Sequence, residues 1–370
     1  MSGDVLIYGD TVREPALRHE VPLTVGDAFL YVERGGERIV VIGALELPRV
    51  RELPGLVVHT LDEYGLHELA GSGLGREDVY DEVYARAVQE LGVVNAVVPH
   101  TFAVGFADRL RARGVEVAAD RDLFAERRRV KNAHELDGIR RAQQAAEAGM
   151  AAAAELLRSP NGKPITSEQL KTAIAETFIE HGCSSDEFIV SHGPQSAIGH
   201  HPGAGELRSG EPIVIDIWPR DNESGCFADM TRTFVLGDPP DELVEWHRLV
   251  LAALERGVAD SRPGASGRAV YDATCDLFEA AGFPTERTKD PVTPLEDGFF
   301  HGLGHGVGLE VHEAPSLGLI SNDSLVAGDV VTVEPGLYRP GFGGVRLEDL
   351  VLVTEHGPEN LTRFSYDLAP

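Results

Sequence analysis

The sequence predicts two domains: a smaller α/β domain followed by a larger α+β domain. Three observations carry that prediction. A chain of 370 residues with 42% hydrophobic residues exceeds one average domain and can bury large cores. Short apolar runs alternate with helical stretches up to about residue 125. From Leu136 onward the apolar spacing changes to three and four residues, the mark of an amphipathic helix.

In the first part the expected strands are "DVLIY", "DAFLYV", "RIVVIGAL", "LVVHTL" and "NAVVP", with helices around 78 to 91 and before "GVEVAAD". The boundary falls near 125 to 135, which gives domains of 1–128 and 129–370. In the second part Leu136, Ile139, Ala142, Ala146, Met150, Ala153 and Leu157 share one helical face. "SPNGKP" ends that helix, and Thr166 or Ser167 caps the next. Strands follow near 186–191, 212–218 and 227–235, then a helix pair over 241–282 broken by "SRPGASG", then further strands in the 300s and near 329–354. Helices laid against antiparallel sheet make this part α+β.

Charge and cysteine content narrow the functions. The formal net charge is −27, from 60 acids against 33 arginines and lysines, which argues against nucleic acid or anionic lipid as partner. The one basic knot, Arg127, Arg128, Arg129 and Lys131, reads as a solvated connector or subunit contact. Three cysteines, Cys183, Cys226 and Cys275, lack paired spacing, so neither a disulfide framework nor a thiolate metal site is expected. With no signal-peptide pattern and no membrane-length apolar run, a cytoplasmic protein is expected.

Two segments share one plan. "EPIVIDIWPRDNESGCFADMTRTFVLG" and "GDVVTVEPGLYRPGFGGVRLEDLVLVT" each hold an apolar strand ending in an acid, a Gly/Pro-containing loop, and a second strand with another acid. Asp216 and Asp229 are 13 residues apart, Glu334 and Glu348 14 apart. Two such hairpins could aim four carboxylates into one space, although solvent-face acids would give the same pattern. Converging carboxylates repel one another unless cations sit between them. Four carboxylates and one imidazole suffice for two adjacent divalent ions, and this donor set favours Mn²⁺, Fe²⁺, Co²⁺ or Zn²⁺. Such a pair activates a shared water for hydrolysis.

The imidazoles come from "FFHGLGHGVGLEVHEAP", where His301, His305 and His312 lie among glycines whose lack of bulk would let the backbone approach metal ions. Other motifs fail: "HELDG", "HEAPS" and "HELAG" lack the second histidine of a zinc helix, "GLGHGVG" does not fit a dinucleotide loop, and no G-x-S-x-G is present.

"VIDIW…ADMTRTF", "HGLGHGVGLEVHE", "TVEPGLY" and "GVRLEDLVLVT", in this order, resemble the signature segments of the pita-bread metallopeptidases, in the branch of Xaa-Pro aminopeptidases and prolidases. The resemblance covers roughly 130 to 365. The first 125 residues more weakly resemble the creatinase-type N-terminal domain of that branch.

The resemblance implies a pita-bread catalytic domain with Asp216, Asp229, His305, Glu334 and Glu348 holding two divalent ions, Mn²⁺ first, with Co²⁺, Zn²⁺ or Fe²⁺ as alternatives; Asp229 and Glu348 would bridge. It also implies hydrolysis of an Xaa-Pro bond by a metal-bridging hydroxide. Glu334 would shuttle the proton, and His200, in "SAIGHHPG", would contact substrate. His312 would hydrogen-bond the substrate carbonyl or the tetrahedral intermediate, while His301 would line the pocket or merely pack. Arg346 would orient the acids or a substrate carboxylate, or only balance charge. His201 reads as an exposed neighbour of His200. A proline-containing peptide and a second copy of the chain, in a homodimer, are the implied partners. The chain departs from the family pattern in its Asp216–Asp229 loop, which is about two residues longer and carries Trp218 and Pro219, and in His201 at a frequent tyrosine position. A non-peptidase hydrolase or lyase on the same fold, similar to creatinase, is the alternative; a catalytically silent binding module is disfavoured by the intact acids.

Overall fold

The computed structural model describes residues 3–158 and 164–370. The expected helix end at "SPNGKP" therefore lies, except for Pro164, outside the described residues. The chain divides into two compact units, one ending at Arg128 and the other beginning at Arg129.

The first unit is built on a six-stranded mixed sheet: β1 (Asp4–Gly9), β2 (Phe29–Arg34), β3 (Glu37–Ile42), β4 (Leu56–Thr60), β5 (Asn95–Val98) and β6 (Glu116–Ala119), in the order β4-β3-β2-β1-β5-β6. Only β2 runs against the others. Side chains alternate across the sheet, so Leu6, Leu30, Val32 and Val41 enter one core while Val5, Ile7, Phe29, Tyr31 and Val40 enter another. Helices Arg76–Glu90 and Val104–Ala112 cover the first of these faces, through Val83, Tyr84, Phe106 and Leu110. Two buried faces explain why these strands read as continuous apolar runs.

The second unit opens with helix Ala133–Arg158, whose Ile139, Ala142, Ala146, Met150, Ala153 and Leu157 are buried as the spacing predicts. It packs on helix Ser167–Glu180, closely enough that a Cβ on Gly149 would come 2.8 Å from the Phe178 ring. Thr166 caps that second helix: its hydroxyl accepts from the Gln169 amide, while the Gln169 side chain accepts from the Thr166 amide.

Next come β7 (Cys183–Ser184), β8 (Ile189–His192), β9 (Pro212–Ile217), β10 (Arg220–Asp221) and β11 (Met230–Val235). Strands β11, β9 and β8 form an antiparallel sheet in that order, and β10 pairs with β7. The strand expected from 186 begins only at Ile189. After helices Asp241–Asp260 and Gly267–Ala280 come β12 (Gly304–Gly306), β13 (Glu313–Leu317), β14 (Val330–Val333), β15 (Gly336–Arg339), β16 (Gly343–Arg346), β17 (Asp349–Thr354) and β18 (Gly357–Asn360). The second sheet runs β13-β12-β14-β17-β18, and β15–β16 is a separate hairpin.

Two buried apolar cores fill this unit, and backbone bonds stitch its sheets together: the Glu348 amide donates to the Thr231 carbonyl at 3.1 Å. Behind that junction Arg232, 1% exposed, donates to the carbonyls of Thr231 and Glu348 and pairs with fully buried Asp349 at 2.9 Å.

The basic knot is not a solvated connector. Within the second unit Arg129 makes a two-point ion pair with Asp329, at 3.0 and 2.7 Å, and Lys131 pairs with Glu313, all through buried side chains. In the first unit Arg127 bonds Glu20 and Glu33. Arg127, Arg129 and Lys131 each meet a carboxylate, and a buried charge is tolerated when it is paired.

Candidate metal centre and active site

Four acids are delivered by strand geometry to the edge where the three-stranded and five-stranded sheets of the second unit meet. Asp216 sits on β9 opposite Thr231 of β11, and Asp229 immediately precedes β11. In the second sheet Val333 pairs with Asp349, so Glu334 and Glu348 stand one residue beyond that register on their two chains. The Glu334 amide donates to the Leu303 carbonyl at 2.7 Å, which ties this end of β14 to the histidine-bearing segment.

His305 occupies the centre of β12. The glycines on either side are there for a reason other than the one expected. A Cβ on Gly304 would come 2.0 Å from the Thr332 carbonyl oxygen, and one on Gly306 2.4 Å from that of Ala314. Neighbouring strands, not metal ions, demand their lack of bulk.

The acids and histidines line one cavity of about 720 Å³, formed wholly by residues of the second unit. All nine predicted side chains border it: His200, Asp216, Asp229, His301, His305, His312, Glu334, Arg346 and Glu348. Sequence reasoning missed Glu187, Ile189, Ile198, Phe300 and Val311 on its wall, and had marked Trp218 only as a departure.

Within the cavity, ligand-type atoms of Asp229, His305 and Glu348 all lie within 4.8 Å of one another. Asp216 and Glu334 stand outside that tight group. Glu334 Oε1 is 3.7 Å from His305 Nε2, while Asp216 accepts a hydrogen bond from Nη2 of Arg346. Arg346 also donates through Nη1 to the Tyr338 hydroxyl at 3.0 Å, and Thr231 donates its hydroxyl to Glu348 Oε2 at 2.8 Å. Thr231 and Tyr338 escaped sequence reasoning, although Thr231, two residues after Asp229 on a strand, shares its face.

The electrostatics fit a bound cation. Burial, then the neighbouring carboxylates Glu348, Asp216 and Glu334, pushes the Asp229 carboxyl well above the usual range. Burial and then Glu334 and Asp216 do the same to Glu348, and burial pushes Glu334 up to about 8. Burial, assisted by His312, lowers His305 to about 4, which leaves a neutral imidazole able to ligate. Most telling, Oδ1 of Asp229 is buried with no hydrogen-bond partner. A buried carboxylate oxygen without a donor is costly, and carboxylates with one neutral imidazole form a donor set suited to hard or borderline divalent ions.

The remaining histidines differ in setting. The His301 ring is held between the Gly302 carbonyl, at 2.7 Å, and the Tyr338 hydroxyl, at 2.9 Å, so it both lines the cavity and packs. His200 and His312 are exposed into the cavity, the His312 ring 4.2 Å from that of His305. His201, expected to be exposed, is half-buried and accepts the Gly203 amide on Nδ1. Arg346 is not a loose counter-charge: at 5% exposure it is bound to Asp216 and Tyr338.

Residues 137–355 match the model of metallopeptidase family M24. The chain belongs to this family. Among its relatives, the probable dipeptidase PepE of Mycobacterium tuberculosis is 30% identical over 334 residues, covering 88% of this chain and 84% of that protein. The Xaa-Pro dipeptidase of Pyrococcus furiosus is 29% identical over 294 residues, 78% of each chain. The structure of an Xaa-Pro dipeptidase from Bacillus anthracis superposes with a TM-score of 0.81 at 26% identity, covering 99% of this chain and 94% of the other. The M24 chain thus has the expected pita-bread fold preceded by a smaller domain, and it is a metal-dependent peptidase. No helix among its described residues is long and apolar enough to cross a membrane.

Proposed function

We propose that this M24 enzyme hydrolyses the peptide bond preceding proline, in Xaa-Pro dipeptides or at the N-terminus of short peptides. The convergence of Asp229, His305 and Glu348 around an unsatisfied buried carboxylate oxygen carries the metal part of the reading. The Xaa-Pro dipeptidase relatives support the substrate class.

Asp216, Asp229, His305, Glu334 and Glu348 are the residues that would hold two divalent ions, Mn²⁺ first and Co²⁺, Zn²⁺ or Fe²⁺ next. When bound, such ions polarise the scissile carbonyl and make water nucleophilic at neutral pH. Glu334 takes the proton of the attacking water and returns it to the departing proline nitrogen, which has no N–H of its own. His312 and His200, exposed to the cavity, donate to the substrate carbonyl and hold the peptide in register. Arg346 holds Asp216 in place through a hydrogen bond, and His301, fixed by Tyr338, shapes the wall.

The buried free thiols of Cys183, Cys226 and Cys275 support a cytoplasmic setting, and the resemblance supports a homodimer. The test is a panel: protein loaded with Mn²⁺ or Co²⁺ should cleave Xaa-Pro peptides and leave Xaa-Ala counterparts largely intact. Metal uptake without cleavage of any proline peptide would contradict the proposal.

A further inference from the structure

The cavity wall distinguishes a free carboxylate from a peptide bond, and this bears on substrate length. In an Xaa-Pro dipeptide the α-carboxylate sits on the carbon bonded to the nitrogen that departs. It must therefore enter the cavity together with the reacting amide. A carboxylate moved out of water needs a cationic or multi-donor partner, most often the forked guanidinium of arginine.

Among the described residues that line the cavity, Arg346 is the sole arginine or lysine. Four of its five N–H donors are engaged. Nη2 goes to Asp216, Nη1 to the Tyr338 hydroxyl at 3.0 Å and the Gly199 carbonyl at 3.5 Å, and Nε faces the Thr231 hydroxyl at 3.4 Å; with the side chain 6% exposed, the fifth alone cannot make the two-point bond a carboxylate takes from a free guanidinium. Five acids share the wall: Glu187, Asp216, Asp229, Glu334 and Glu348. Four of them are the metal-holding set, which leaves Glu187, exposed, as a negative charge facing substrate. His200 and His312, each with one N–H to offer when neutral, are suited to a neutral carbonyl, which needs no cation beside it. A volume of about 720 Å³ has room for more than two residues.

Resting on the Xaa-Pro reading above, we infer that the preferred substrates are peptides that continue beyond proline, so that the enzyme works as an Xaa-Pro aminopeptidase rather than as a dipeptidase. In Xaa-Pro-Yaa the position of the free carboxylate is taken by a neutral amide, which the wall accommodates without a guanidinium. Relatives named dipeptidases make this a discriminating inference, because their names suggest the opposite preference.

The experiment compares Ala-Pro, Ala-Pro-amide and Ala-Pro-Ala on the Mn²⁺-loaded enzyme. The amide removes the charge without adding a residue, so it separates charge from length. The expected result is kcat/KM for the amide and the tripeptide at least about 10-fold above that for the dipeptide, roughly one unpaired charge's share of the barrier. A dipeptide cleaved as well as or better than both overturns the inference and leaves the Xaa-Pro reading intact. Cleavage of none of the three, with metal bound, overturns the Xaa-Pro reading itself and this inference with it. Glu187→Lys should raise Ala-Pro turnover relative to Ala-Pro-amide; an unmoved ratio would contradict the electrostatic account.

Discussion

The β9–β11 and β14–β17 strand pairs each offer two acids on the same plan, two aspartates in one and two glutamates in the other, yet each is supported by the other. Asp216, of the first, is held by Arg346 from the chain that leads into β17. Glu348, of the second, is held by the Thr231 hydroxyl from β11. Asp229 receives no such bond at Oδ1, and Glu334 faces His305 instead. Reciprocal support means that neither hairpin can shift without disturbing the acids of its counterpart. It also separates the acids into two that the protein orients and two left to be organised by a ligand.

Removing a carboxylate from the tight group is the harshest way to break that division. Asp229→Asn and Glu348→Gln should each lower kcat/KM by about 10³-fold or more and abolish metal uptake, read by elemental analysis beside turnover. The oriented acids should respond through their supports. Arg346→Gln leaves every carboxylate in place, yet should cost about 10- to 100-fold in activity, as loss of a group that orients a metal ligand does. Restoration of activity by Arg346→Lys would show that charge alone suffices.

The acids also predict how stability depends on pH. Asp229, Glu348 and Glu334 all have raised pKa values in the folded chain, so the fold retains protons that the unfolded chain releases. Glu334's contribution is fully present below about 4.5, its ordinary value, and is lost as pH rises through about 8; those of Asp229 and Glu348 fall in the same direction as pH rises. Metal-stripped protein should therefore lose several degrees of Tm between those limits from this source. Saturating divalent ion should reverse that loss, and a flat Tm profile in stripped protein would contradict the assignment of these shifts.

Smaller effects test the scaffold. Thr231→Val keeps the shape and removes the bond to Glu348, with an expected weakening of metal affinity by about 10-fold in a competition titration. Farther back, the Tyr366 hydroxyl donates to Asp349, the acid that holds Arg232. Tyr366→Phe should cost about 1 kcal/mol of stability, measured by denaturant titration, with kcat/KM little changed.

Much of the centre was legible in the sequence because strand periodicity and the two acid spacings are local facts. Asp216, Asp229, Glu334 and Glu348 could be placed on paired strands from their neighbours alone, and His305 followed from its glycine frame. What escaped depended on tertiary pairing. Tyr338 and Thr231 are ordinary strand residues until they are seen to hold His301, Arg346 and Glu348. Arg129 and Lys131 read as surface bases because Asp329 and Glu313 lie 200 and 182 residues away in the chain. The glycines around His305 pointed to the correct residue for a mistaken reason, since the strands crowding them are invisible in a linear pattern.

The most direct measurement is a calorimetric Mn²⁺ titration of the stripped wild-type enzyme and of Asp229→Asn, with hydrolysis of a proline-containing peptide followed at each step. Two ions per wild-type chain, activity rising with occupancy, and neither in the variant is the expected outcome. Full turnover by stripped wild-type protein, or equal metal content in the variant, would contradict it.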